Sequence, residues 1–282
     1  MTLSPTGFSP RLHWTLLRWA ILLTAVTIAL FPFFWMLRLS VSGADSVTLS
    51  GIELLPGSWD LSNFSRAWTE GNIGRAMFNG AIVTLAILAC QLVTCIPAAY
   101  AFAKVPFPGR GFAFAAVIAC LLVPTQANAM PTYLGISAMG LSNTLTALIL
   151  PFVSSAFGIF LMRQHMMTIP DALLEAARAD GLGTFSTLLR VVVPASMPSI
   201  ATFSIFSIFV HWNDYLWPLL AIRSRDLQTP PLALSVFQEI ETGQDYGALA
   251  AGALIITLPI VLLYIFAQRS FEAGLGGGEL PG

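Results

Sequence analysis

Residues 175–198 read EAARADGLGTFSTLLRVVVPASMP, a stretch with acids, arginines, two glycines and two prolines in a chain otherwise built of long apolar runs. Its placement decides the fold, because such an insert belongs outside any lipid phase that its apolar neighbours enter. Just upstream, Pro170 suits a first helical turn, Thr168 is a candidate cap, and Asp171 lies near the positive end of the helix dipole. The residues DALLEAARAD are good helix formers, and Glu175 is spaced to pair with Arg178. Gly181 is placed to end the helix, as a glycine just past a last turn commonly does. The spacing predicts a helix of about three turns, too short to cross a bilayer. Leu173, Ala176, Ala177 and Asp180 fall roughly along one side, where small alanines let another surface come close. A helix resting on the inner leaflet is an equal reading of the same residues. Thr184–Val193 then leads back towards the membrane, with Pro194 and Pro198 marking re-entry.

The neighbours of this insert are what a membrane requires. Of 282 residues, 56% are hydrophobic and 10% charged, where a soluble domain carries about a quarter charged. A spanning helix needs about 20 apolar residues at about 1.5 Å each. Six runs qualify, at about residues 19–37, 76–103, 111–130, 143–162, 198–222 and 246–267. The first, WAILLTAVTIALFPFFWML, is too long and too aromatic at its end for a usual signal peptide, although Ser40-Val41-Ser42 could be cut. It reads as a retained signal anchor.

With the N-terminus in the cytoplasm, Arg11, Arg18, Lys104, Arg110, Arg163, Arg178, Arg190 and Arg269 lie inside. Arg38, Arg66, Arg75, Arg223 and Arg225 then lie outside. That balance favours both termini in the cytoplasm and puts the opening stretch there as well. The organisation expected is a cytoplasmic segment 1–18, one transmembrane domain 19–268 with a cytoplasmic loop 163–197, and a tail 269–282. The glycine-rich end of that tail cannot form a core of its own. In the outer loop of about residues 38–75, Trp59, Phe64 and Trp68 read as interfacial anchors.

Several function classes are excluded. A net charge of -1 offers no basic surface for nucleic acid. The sole lysine, Lys104, stands in AKVPFPG rather than in a phosphate-binding loop, so the chain lacks a P-loop for ATP. Cys90, Cys95 and Cys120 have no metal-ligand spacing and read as buried free thiols. No catalytic motif and no cofactor site stands out.

The polar groups inside the runs are few. Asn213 and Asp214, with His211, form a cluster in FVHWNDYLWPLL. They either face a water-filled path or gate, or act as interhelical glue near the outer interface, and the packing role weighs more. Gln91, Pro97, Pro124, Thr125, Gln126 and Asn128 carry the same two readings. So few buried charges, with no internal repeat, suit an ion-coupled carrier poorly. A solitary ion-coupled carrier and a membrane scaffold stay as alternatives.

The spacing Glu175-Ala176-Ala177, Gly181, Val191-x-Val193-Pro194 resembles the EAA signature, EAA-x3-G-x9-I-x-L-P, with valine in place of isoleucine and leucine. That signature marks membrane subunits of binding-protein-dependent ABC importers. MRQHMMTIPDALLEAARADG, WNDYLWPLL and QRSFEAGLGGGELPG look like the carbohydrate-uptake branch, close to the second permease of maltose-type systems. The ending Glu279-Leu280-Pro281-Gly282 departs from that branch's G-x-V-K-G and lacks its lysine.

The resemblance implies an all-α membrane protein, a bundle of about six transmembrane helices of the type I ABC importer permease (MetI-like) kind. Glu175, Ala176, Ala177, Asp180 and Gly181 would form a coupling helix docked on an ATP-binding-cassette ATPase dimer. Asn213, Asp214 and Gln91 are the candidates for the translocation path. A homologous second permease, an extracytoplasmic solute-binding protein, membrane lipid and a sugar or sugar-like solute are the implied partners. Glycerophosphate-type compounds and amino sugars are the alternative cargo.

Overall fold

The computed structural model describes residues 10–43, 54–238 and 245–275. Every named element among them is helical, and one isolated antiparallel bridge joins Ser42 to Trp59. The chain divides into two compact units: residues 1–67 with 237–255, and residues 68–236 with 256–282.

In the first unit α1 (Pro10–Ser40) is 31 residues long, about 46 Å by its rise. None of its most apolar window is buried against the described remainder of the chain. A helix so apolar and so bare needs lipid or another subunit around it. Its end is pinned by α2 (Ser62–Glu70), whose Asn63 Nδ2 donates to the carbonyls of Ser40 (3.0 Å) and Ser42 (2.9 Å). Asp60 starts α2 by accepting from the Ser62 amide at 2.8 Å. Those hydrogen bonds, chiefly the amide's, hold the Asp60 carboxyl below its ordinary range. Arg66 pairs with Asp245, which also accepts from the Ala248 amide at 2.9 Å. Trp59 and Trp68 are both largely exposed.

The second unit is organised by α3 (Ile73–Lys104). Its buried residues recur at three- and four-residue steps: Ile73, Ala76, Gly80, Val83, Ile87, Gln91, Cys95, Ala99. Two apolar clusters lie along it. One joins Cys95 and Ala99 to Met162, Met166, Val192 and Phe203, and the other joins Val83 and Ile87 to Leu148, Trp217 and Ala221. Close approach is built in at Gly158, where a Cβ would stand 2.6 Å from the Phe203 ring.

Three of the apolar runs are not straight helices. The run over 111–130 is α4 (Arg110–Leu121) and α5 (Thr125–Ala138), bent by 99° where Pro124 has no N–H to continue the ladder. The run over 143–162 is α6 (Leu145–Ile149), a 3-10 turn Leu150–Phe152, and α7 (Ala156–Met167), bent by 42°. Ser155 opens α7, its hydroxyl accepting from the Gly158 amide at 3.1 Å.

After α8 (Asp171–Ala179), α9 (Thr184–Ala195) carries a π turn at Leu188–Val192 and meets α10 (Met197–Trp212) at 78°. The run expected over 198–222 stops at Trp212 and resumes as α11 (Leu216–Ala221). Asn213 folds back on the Phe209 carbonyl at 2.8 Å and Asp214 accepts from the Trp217 amide at 3.3 Å. These short polar side chains compete with the helix for its backbone groups. A short α12 (Pro230–Ala233) precedes the long α13 (Tyr246–Leu275). Three described helices, α1, α3 and α13, are long and apolar enough to cross a membrane, or up to six spans if each bent pair counts as one.

Candidate functional site

The α8 segment is built much as its residues predict, with corrections. Pro170 precedes the first turn, while Thr168 caps nothing in α8 and donates instead to the His165 carbonyl at 2.7 Å. At the other end Gly181 takes a left-handed φ of 80°. Its amide donates to the Arg178 carbonyl and that of Leu182 to Ala177, each at 3.0 Å, a complete Schellman closure. No ion pair joins Glu175 to Arg178 among the described residues; the acid that pairs is Asp171.

Of the side expected to meet another surface, Leu173, Ala176 and Asp180 are exposed and Ala177 is not. Leu174 and Ala177 are buried, whereas Leu173, Glu175, Ala176, Arg178 and Asp180 face out. Phe185 and Leu189 in the next segment are 69% and 51% exposed. The resulting surface offers small residues, acids and bare apolar side chains together.

What holds α8 in place comes from α3. Lys104, in its last turn, donates to the Ile169 carbonyl at 2.6 Å and to Asp171 Oδ1 at 2.7 Å. Its side chain is only 9% exposed. The lysine's hydrogen bond and charge hold the Asp171 carboxyl below its ordinary range. The sequence reading gives Lys104 a place among the cytoplasmic positive charges and outside any P-loop, with no role in holding α8. Its position at a helix end beside a polar insert was the available signal.

A second constellation surrounds the α6–α7 bend. Backbone groups freed at a break inside an apolar layer need partners. Gln91, Thr94 and Cys95, spaced on one face of α3, supply them. Gln91 Nε2 donates to the Phe152 carbonyl (3.0 Å), Thr94 Oγ1 to Val153 (2.8 Å), and the Ser155 amide to Cys95 Sγ (3.3 Å). Gln91 Oε1 also accepts from Ser207 Oγ of α10 at 2.7 Å, and its Nε2 lies 3.3 Å from His211 Nε2.

Beside this clasp lies a cavity of about 490 Å³, with Thr125, Gln126, Asn128, Thr132, Ser154, His211 and Asp214 in its wall. Of the three predicted pathway residues, Asp214 lines it. Gln91 is buried behind the wall, and Asn213 is exposed outside it. The thiols also divide: Cys95 is buried and Cys90 half-buried, while Cys120 is exposed and lines the cavity, against the expectation of three buried thiols. No group of metal-ligand type occurs among the described residues.

Comparison with known proteins follows this geometry. A permease protein of the arabinooligosaccharides transport system, AraQ of Halalkalibacterium halodurans, is 32% identical over 258 residues, covering 90% of this chain and 92% of that one. The diacetylchitobiose uptake permease NgcG of Streptomyces coelicolor is 28% identical over 278 residues, covering 98% and 90%. The sn-glycerol-3-phosphate permease UgpE of Brucella abortus is 28% identical over 263 residues, covering 90% and 93%. A chain in the crystal structure of a bacterial ABC transporter for import of the acidic polysaccharide alginate superposes with a TM-score of 0.81. That match covers 95% of this chain and all of that one at 22% identity, which carries the fold. The description "binding-protein-dependent transport system inner membrane component" matches residues 6–276. The chain belongs to that family of inner-membrane transport components.

Proposed function

We propose that the chain is one permease of an ATP-driven importer for a sugar or sugar-like solute handed over by a solute-binding protein. The observation that carries the reading is α8: a closed, capped helix that presents Glu175, Ala176 and Asp180 outward while Leu174, Ala177 and Lys104 anchor it. Such a helix is a lever with a free face, and the chain has no phosphate-binding loop of its own. An ATPase dimer docks on that face in the cytoplasm, and the helix transmits its closure to α3 and the cavity. A homologous second permease completes the path and covers apolar surface such as that of α1. Both termini lie in the cytoplasm. The arabinooligosaccharide and diacetylchitobiose relatives support a saccharide as cargo.

The test is ATP-dependent uptake into vesicles holding the full set of subunits. Glu175→Ala and Gly181→Val are expected to abolish uptake while the ATPase keeps its own turnover. Unchanged uptake in both would remove α8 from the coupling role.

A further inference from the structure

The cavity beside the α6–α7 clasp has a charge pattern of its own. Its wall holds hydroxyls (Thr125, Thr132), side-chain amides (Gln126, Asn128) and, besides the Cys120 thiol, two ionisable groups, His211 and Asp214. Among the described residues no arginine or lysine lines it.

The hydrogen bonds decide the state of His211. Gln91 Oε1 accepts from Ser207, so its amide nitrogen faces both the Phe152 carbonyl and His211 Nε2. The reverse orientation would set two acceptor oxygens against each other at Phe152. The second amide hydrogen therefore points at His211 Nε2, which must accept it and carries no proton. His211 is the Nδ1–H tautomer and uncharged. Among the described residues on the wall, Asp214 is then the sole charged side chain.

An anionic group entering this space finds no guanidinium or ammonium to receive it and one carboxylate to repel it. A hydroxyl-rich neutral solute finds an acceptor in Asp214 and both donors and acceptors in the amides and hydroxyls. We propose that this cavity selects uncharged, polyhydroxylated solutes, saccharides without uronate, sulfate or phosphate groups, and excludes anions. The inference rests on the cavity being part of the translocation path. It sets this chain apart from the relatives named for sn-glycerol-3-phosphate and for acidic alginate.

Cys120, itself on the wall, supplies a native probe. A methanethiosulfonate is attacked at its sulfenyl sulfur by the thiolate, forming a mixed disulfide and releasing methanesulfinate. The assembled importer in vesicles is labelled with 2-hydroxyethyl and 2-sulfonatoethyl methanethiosulfonate, which differ in charge at similar size. Modification at Cys120 is read by peptide mass, and each rate is divided by that of the same reagent with a free small thiol.

The neutral reagent is expected to react, and its rate to change when ATP and vanadate trap the ATPase. The anionic reagent is expected to lag by about fivefold or more, as a nearby unpaired charge requires. Asp214→Asn keeps the acceptor for the Trp217 amide and should bring the ratio of the two rates towards one. Gln126→Arg should favour the anion. A Cys120 rate that ignores nucleotide would overturn the path reading and the selection rule with it. A nucleotide-dependent rate, with equal neutral and anionic reactivity that Asp214→Asn leaves unmoved, would overturn the charge selection alone.

Discussion

Gln91 illustrates what one polar side chain accomplishes inside an apolar helix. Its two amide hydrogens go to the Phe152 carbonyl and His211, its oxygen accepts from Ser207, and it is 3% exposed. Gln91→Leu is expected to lower the stability of the detergent-solubilised chain by about 1–3 kcal/mol, since the Phe152 carbonyl and Ser207 hydroxyl lose their partner. A thermal melt checks it, and an unchanged melting point would refute the clasp. Gly181→Ala addresses a different residue-scale constraint. At φ 80° a Cβ costs about 1 kcal/mol, with open space around it, so the loss is backbone strain rather than a clash. In Gly158→Ala the backbone is relaxed and the Phe203 ring is in the way, so overpacking of about 1–3 kcal/mol is expected from the same melt.

At the scale of elements, α8 hangs from α3 through Lys104. Lys104→Met should speed hydrogen exchange of the α8 amides by about tenfold, the equivalent of one net hydrogen bond lost at the Ile169 carbonyl. Lys104→Arg should recover part of it. The Asp171 arm has a predictable pH dependence. Its carboxyl is held below the ordinary 3.8 by Lys104, so its contribution is complete above about pH 5 and is lost as pH falls through the lowered value. Exchange in α8 should thus be flat from neutrality to about pH 5 once corrected for intrinsic rates, then quicken below 3.8. Asp171→Asn should remove that acid step.

The elements also show what a sequence conveys. The α8 helix and its glycine end were legible because propensity and C-capping are local. The bends in α4–α5 and α6–α7 were not, because a proline or serine signals a break without its angle, and partners on α3 decide whether it is tolerated. Which residues of α8 turn inward was not legible either, because on so short a helix small and apolar residues occur all round; Leu174 is buried in the cluster that holds Leu188 and Val192, and Ala177 is buried as well.

Across the whole molecule, arginine placement and helix length point to one topology. Tags placed before Thr2 and after Gly282 are expected to resist protease in right-side-out spheroplasts and to be cut in inverted vesicles. Digestion of either tag from the outside would invalidate the proposed orientation. The residues beyond Leu275, including the divergent tail, lie outside the described part of the chain. The unburied α1 and the exposed face of α8 share a logic: each leaves bare a surface that something outside the described chain covers, lipid or another subunit for α1 and, on the proposed reading, the ATPase for α8.

The clasp on α3 has one more consequence, for how such a protein changes over time. Gln91 and Thr94 grip the carbonyls of Phe152 and Val153, and Cys95 grips the Ser155 amide, so the bend is held by main-chain atoms, of which proline lacks only the amide. The side chains of Phe152 and Ser154, which line the cavity, take no part in those three ties, although the Phe152 ring packs on His211 and Trp217. A change at Ser154 can therefore reshape the cavity wall while the three ties from α3 to the bend stay in place.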